Sequence, residues 1–371
     1  MRGRPQPEHA PQSCAHPVDR ALTHTSMTRT LTLLLIPFVL LLAACERPAI
    51  HTERMLAFGT LVEVSIYTAD EDLARAGANA VREDFEYMHR AWHPWQPGAM
   101  GRTNQLLAME GWFSVSPSIL PLLKLAAELE AASDGLFNPV MGELMEIWGF
   151  HGDEEPQAPP EEERIQEWLE RAPSTRYIEL DGIRARATRP GVRLDPGGFA
   201  KGYAVDRAME RLMDMGIDHA IINAGGDLRA IGQPGRRAWR IGIRHPDGEG
   251  VLASLELQGD ESVYTSGDYE RYFVHDGTRY HHILDPRTAR PARETRSVTV
   301  MHHDGALADA ASTALFVAGP ERLGEIAGRM GVHKVMLVDP DGEVHMTGAM
   351  AERIRFEIDP APTVHIVELS Q

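Results

Sequence analysis

One stretch limits the fold more than any other: Leu194-Asp195-Pro196-Gly197-Gly198-Phe199-Ala200-Lys201-Gly202-Tyr203-Ala204-Val205-Asp206. A strand runs into two glycines and then directly into a helix with a lysine in its first turn. Glycines let the backbone approach a ligand closely, and a helix N-terminus offers unpaired N–H groups and positive potential. Lys201 adds a full charge. These are the requirements of an anionic, phosphate-bearing ligand. The spacing is neither a Walker loop nor the GxGxxG dinucleotide fingerprint, so it names no nucleotide. A tight strand–helix turn with a solvent-facing lysine accounts for the same residues.

Composition narrows the partners. Among 371 residues, 37 are Lys or Arg and 54 are Asp or Glu, a formal charge of −17. Such an acid excess excludes nucleic acid, whose phosphates need a basic face. Two cysteines cannot build a disulfide scaffold or a Cys-rich zinc or iron–sulfur site. With 43% apolar residues the chain can bury a substantial core.

Residues 27–44 read as a signal peptide. Arg29 gives a short positive region before an apolar run from Leu31 to Ala44, broken only by Thr32 and Pro37. The run is about 14 residues, below the roughly 18–20 of a bilayer span. It ends in Leu42-Ala43-Ala44-Cys45, which is similar to a bacterial lipobox, where the cysteine becomes a lipidated N-terminus. An ordinary secretory signal with a chance cysteine is the plainer alternative. Residues 1–26, rich in Pro, His and Arg, are expected to be an extension that is not made or is cleaved. The mature chain is then 45–371, with Cys45 its one cysteine and a net charge of −19 beyond it. A cysteine-free body suits an oxidising compartment.

The body reads as α+β, with mixed or antiparallel sheets and packed helices. It forms one domain or two intimately packed lobes. Alternating β-branched residues predict a strand over Phe58–Tyr67. Leu73, Ala76, Ala80, Val81, Phe85 and Met88 mark one face of a helix from Glu71 to about His93. Further helices are expected from Ser116-Pro117 to Ser133, from Phe199 to Met215, from Ala306 to Val317 and from Glu321 to Met330. His151 to Pro160 reads as a loop, His219 to Val300 as short strands with Gly turns, and His333 to Met346 as a hairpin.

Three other motifs bear on chemistry. Asn223-Ala224-Gly225-Gly226-Asp227 is a second strand entering a Gly-Gly turn, which a β-turn or bulge explains equally well. Asp309 and Thr313 stand four apart, so a helix puts both oxygens on one face. Their hard donors suit Mg²⁺ shared with a substrate phosphate, although Thr313 bonding its own helix is the blander reading. His281 and His282 adjoin before Asp285-Pro286, and neighbours on a strand face opposite ways, so at most one enters a given site. No HExxH spacing occurs, which disfavours a zinc hydrolase.

Read in order, Asp-x-Gly-Gly-x-x-Lys-Gly-Tyr (195–203), Asn-Ala-Gly-Gly-Asp (223–227), Thr-Ser-Gly-Asp-Tyr (265–269), His-Ile-x-Asp-Pro-x-Thr (282–288) and Ala-Asp-x-x-x-Thr-Ala (308–314) closely resemble the ApbE family, the FAD:protein FMN transferases. The resemblance runs from about Phe58 to Gly348. It implies a transferase that binds FAD in a cleft with Mg²⁺. A Ser or Thr hydroxyl of an acceptor protein attacks the FMN-side phosphorus, AMP leaves, and FMN stays attached through a phosphoester. By the family pattern the metal is held by the Gly198 carbonyl and the Asp309 and Thr313 side chains. Asp195, Lys201, Leu136, Phe137, Asn138 and Ile283 contact FAD. Trp95 borders the flavin, Phe58 takes a place usually held by methionine, and His282 is the base for the acceptor hydroxyl, with Asp285 as helper. The departures are Asn138, Pro196, Ala289 and the segment around Trp95. They bear on contacts to the two ends of FAD, not on the reaction.

The resemblance further implies a lipid-anchored enzyme on the periplasmic side of the bacterial inner membrane, acting on a subunit of a membrane redox complex. Two alternatives use the same residues. One is an Mg²⁺-dependent FAD pyrophosphatase with water as acceptor; the other is a flavin-binding lipoprotein without turnover.

Overall fold

Nine strands follow one another across the central sheet of the described residues in the order they occur in the chain. They are β1 (Ala49–Ala57), β2 (Thr60–Thr68), β3 (Ala220–Ala224), β4 (Asp227–Ile231), β5 (Glu261–Gly267), β6 (Ser297–His302), β7 (Lys334–Val338), β8 (Val344–Thr347) and β9 (Val364–Val367). Neighbours are antiparallel except β8 and β9, which run parallel. The computed structural model describes residues 47–152, 156–248 and 250–370, and the chain from Pro48 onward packs as one compact unit. The expected extension, signal peptide and Cys45 lie outside the described residues. Among the described residues no helix is long and apolar enough to cross a membrane.

Three helices cover one face of the sheet: α1 (Glu71–Trp92), α2 (Ala200–Asp214) and α3 (Gly305–Met330). Val62, Val64 and Ile66 of β2 alternate inward to meet Val81, Phe85 and Met88 of α1 and Leu212 of α2. The Asp70 carboxylate caps α1 by accepting from the Leu73 amide at 2.9 Å. The other face packs Leu228, Val263, Met301 and Met336 against a small three-stranded sheet bearing Ile243, Leu252 and Leu255. Every residue of β4 is buried because both faces are covered, so its sequence shows no simple alternation.

The two helices expected near the C-terminus are the two halves of α3, broken where Gly319 (φ 69°, ψ 180°) precedes Pro320. Other expectations need correction. Phe58 is not in a strand: with Gly59 it forms the two-residue turn between β1 and β2, at φ 51° and 71°, the conformation of a type I′ hairpin turn. The alternation that predicted the strand ran on through the turn, and β1 itself was not foreseen. Helices at Ala99–Leu107, Gly142–Ile147 and Glu162–Arg171 were also not foreseen. The helix expected from Ser116-Pro117 begins at Leu120, after a turn in which the Ser116 carbonyl accepts the Ile119 and Leu120 amides.

Candidate active site

The Gly197-Gly198 turn is fixed from below. Asn104 clamps Leu194 like a missing strand, its amide donating to the Leu194 carbonyl and its oxygen accepting the Leu194 amide, both at 2.9 Å. Asp195 Oδ1 accepts the Gly197 amide at 2.9 Å, so this carboxylate shapes the turn. Burial raises its pKa above the usual range, against the Gly197 hydrogen bond and the positive field of Arg271.

The helix start is less open to an anion than the motif implied. The Ala200 amide donates to the Pro196 carbonyl at 2.8 Å, and the Gly202 amide donates to Asp309 Oδ2 at 2.9 Å. What remains to meet a phosphate is chiefly Lys201. Its ammonium pairs with Asp227 Oδ2, at the far side of the Gly225-Gly226 turn. Burial alone would lower its pKa, but Asp227 and Asp309 outweigh that and hold Lys201 firmly charged. Asp227 is in turn aligned by the Thr265 amide, which donates to its Oδ1 at 2.9 Å.

Asp309 and Thr313 share the face of α3 that meets this turn. A Cβ placed on Gly198 would sit 3.7 Å from Thr313 Oγ1 and only 2.9 Å from the Phe137 ring. Ser266 Oγ lies 3.3 Å from Thr313 Oγ1 and 2.7 Å from Ser312 Oγ. Burial, with Asp227 and Asp206 adding to it, raises the Asp309 pKa against the pull of Lys201. A cation would relieve that strain. An ionised carboxylate and a hydroxyl facing the Gly198 turn form the hard-oxygen set that Mg²⁺ prefers, so the residues fit the ion.

The two helices are cross-tied. Asp206 of α2 accepts the Gly305 and Ala306 amides of α3 at 2.8 and 3.2 Å, while Asp309 of α3 accepts Gly202 of α2. Arg229 backs Asp206 at 2.8 Å.

The adjacent histidines divide as strand geometry requires. His281 turns into the core, with Nε2 donating to the Ala292 carbonyl at 2.7 Å. His282 lies at the rim, 3.2 Å from the Arg271 carbonyl through Nδ1. A carbonyl only accepts, so Nδ1 carries the hydrogen and Nε2 keeps its lone pair. Burial first, then Arg271, His281 and Lys201, pushes the His282 pKa down to about 3, which keeps it neutral.

Trp95 shares this rim. Arg193 lies over its ring at 4.3 Å and His151 meets it edge-on at 5.6 Å, next to Phe150, which contacts His282 at 6.4 Å. The other residues expected to contact FAD already have protein partners. Asn138 donates to the Pro173 carbonyl and accepts the Val140 amide, because its segment must turn there. Leu136 is a buried core side chain, and Phe137 packs edge-on against Phe199 at 5.9 Å. Ile283 is buried, its amide bonded to His281 and its carbonyl to Ala292. Phe58 leans on Phe85, His89 and Trp92 of α1. Asp285 is held by Arg287 at 2.8 Å and accepts the Arg287 amide within its own turn. Sequence reasoning passed over Asp227, Ser266 and Arg271. The first two lie inside quoted motifs, whereas Arg271 had no motif to mark it.

A charged lysine, buried carboxylates and a neutral histidine at a strand–glycine–helix junction make a site suited to a phosphate-bearing ligand on an α+β scaffold. Residues 58–337 match the ApbE family, and the chain belongs to that family. It is 41% identical over 303 residues to an FAD:protein FMN transferase of Rhodobacter capsulatus, covering 82% of this chain and 58% of that protein. A Treponema pallidum protein of the same name is 32% identical, with 65% of this chain and 71% of its own length covered. The chain thus spans 58% and 65% of the R. capsulatus relative and of one from Klebsiella pneumoniae. Among solved structures, the ApbE protein of Thermotoga maritima superposes with a TM-score of 0.77 at 34% identity, covering 83% of this chain and all (100%) of that one. The apo flavinyl transferase ApbE of Pseudomonas stutzeri gives 0.72 at 27% identity, with coverage of 82% and 97%.

Proposed function

We propose that the protein is an Mg²⁺-dependent FAD:protein FMN transferase. The observation that carries this reading is the convergence of Lys201, Asp309 and Thr313 at the Gly198 turn. The relatives' names support it. An acceptor Ser or Thr oxygen attacks the FMN-side phosphorus of FAD, the bond to the AMP oxygen breaks, and FMN is left as a phosphoester. His282 Nε2 takes the hydroxyl proton, its lone pair left free because Nδ1 faces the Arg271 carbonyl. Lys201 neutralises diphosphate charge, and Asp227 fixes where it stands. Mg²⁺, held by the Gly198 carbonyl, Asp309 and Thr313, would add the charge neutralisation that phosphoryl transfer relies on.

The deciding assay combines purified protein, FAD, Mg²⁺ and an acceptor with a Ser/Thr-Gly-Ala-Thr-like segment, such as a membrane redox subunit. A covalently fluorescent acceptor with AMP release is expected. AMP release regardless of acceptor makes the protein a pyrophosphatase, and tight FAD without AMP leaves only a flavin-binding lipoprotein. We place the enzyme on the periplasmic face of the inner membrane through a lipid on Cys45. Incorporation of labelled lipid that persists in Cys45→Ser would sink that placement.

A further inference from the structure

The sheet edge carries a second group of ligand-type side chains. Glu343, His345 and His365 each bring one donor atom within 4.8 Å of the other two. The arrangement follows from register. His345 of β8 and His365 of β9 are paired residues of a parallel ladder, so both side chains leave the same face. Glu343 stands two residues before His345 and shares that face. The imidazoles stack with centroids 4.7 Å apart and planes 22° apart.

Asp339 adds a fourth, supporting group. Its Oδ1 accepts the Asp341 and Glu343 amides at 3.0 and 2.9 Å, which fixes the carboxylate in the turn. Its Oδ2 lies 2.9 Å from His345 Nε2. An ionised carboxylate only accepts, so His345 Nε2 carries the hydrogen and Nδ1 keeps its lone pair.

We propose that Glu343, His345 and His365 form a site for a borderline divalent transition ion of the Zn²⁺, Ni²⁺ and Cu²⁺ class, with Asp339 orienting His345. Two imidazoles and a carboxylate match such ions, whereas Mg²⁺ favours oxygen donors and keeps its waters. A carboxylate behind a ligating histidine is the usual means of fixing its tautomer. His365 Nε2 and Glu343 Oε2 stand 2.7 Å apart, a hydrogen bond in which the imidazole donates. A tetrahedral ion with bonds of about 2.0–2.1 Å separates its donors by roughly 3.4 Å, so the pair must open slightly and exchange that proton for the ion. Both side chains are about half exposed and free to do so. Bound there, the ion would clasp β9 to β8, its neighbour in the sheet.

The test uses the purified full chain with excess Mg²⁺ present, titrated with Zn²⁺ alone and, separately, with Co²⁺ alone as a spectroscopic probe. One saturable site is expected, with Co²⁺ visible bands and a rise in Tm. His345→Ala and His365→Ala should each weaken binding by roughly 100-fold, and Asp339→Asn by about 10- to 100-fold. Glu343→Gln, at a half-exposed position, carries the test if a histidine variant folds poorly. Unchanged stoichiometry and affinity in the histidine variants overturns the proposal, as does displacement of Zn²⁺ by millimolar Mg²⁺. Two plain His–carboxylate ion pairs would give no Co²⁺ bands, and that result also overturns it.

Discussion

Two Gly-Gly turns bound the candidate active site and use glycine for different reasons. Gly225 and Gly226 stand at φ 71° and 104°, conformations that side chains other than glycine rarely adopt, and the turn delivers Asp227. Gly197 and Gly198 have no left-handed backbone; a Cβ on Gly198 would meet the Phe137 ring at 2.9 Å. The first turn in the chain, Gly197-Gly198, is needed for space at Gly198; the second, Gly225-Gly226, is needed for backbone shape, with Thr60 also crowding Gly225. Space at Gly198 is where a metal and a substrate would sit, so chemistry should be more sensitive to the first turn and stability to the second.

The largest effect should fall on Asp309, which faces the first turn. Asp309→Ala is expected to lower flavin transfer by on the order of 10²–10³ or more, read as fluorescent acceptor formed per minute. Full activity would remove it from the site. Next is the bridge between the turns. Lys201→Met and Asp227→Asn should each impair transfer, and the double variant should be no worse than the poorer single one, because both break one pair. Additive losses would mean the two turns act independently.

His282→Ala should lose about 10²- to 10⁴-fold in transfer while still binding FAD. An ordinary histidine would protonate below about pH 6.5 and cease to be a base. His282, held down to about 3, stays neutral, so the ratio of wild-type to variant rates should hold from pH 5.5 to 8. A ratio that collapses towards pH 5.5 would show a normally titrating group. The smallest effects separate the turns themselves. Gly198→Ala should slow transfer by on the order of tenfold to a hundredfold, out of proportion to the fall in Tm that its clash with the Phe137 ring causes. Gly226→Ala has nothing within 4 Å to strike, so only backbone strain of about 1–2 kcal/mol is expected, lowering Tm with transfer nearly intact. Reversed outcomes would refute the division.

Much of this site was legible because its parts are short and local. A four-residue interval on a helix placed Asp309 with Thr313, and strand alternation separated His281 from His282. What escaped was set by partners distant in sequence. No pattern near Asn138 reveals that its amide is needed by Pro173 and Val140. No pattern near Gly202 reveals that its N–H is already taken by Asp309, 107 residues on. The hairpin turn at Phe58 escaped for another reason. Apolar alternation continues smoothly through it, and a phenylalanine at φ 51° is not what sequence rules place in a turn.

The cross-tie between α2 and α3 has a consequence for how such a chain can change. Each helix carries the acid that completes the other's first turn: Asp206 for Gly305 and Ala306, Asp309 for Gly202. The lysine and the α3 oxygens therefore keep their mutual distance as parts of one joint. The β-rich span between the helices can be lengthened, trimmed or exchanged at its loops without disturbing that distance. Replacing either acid, by contrast, releases the joint from both sides at once.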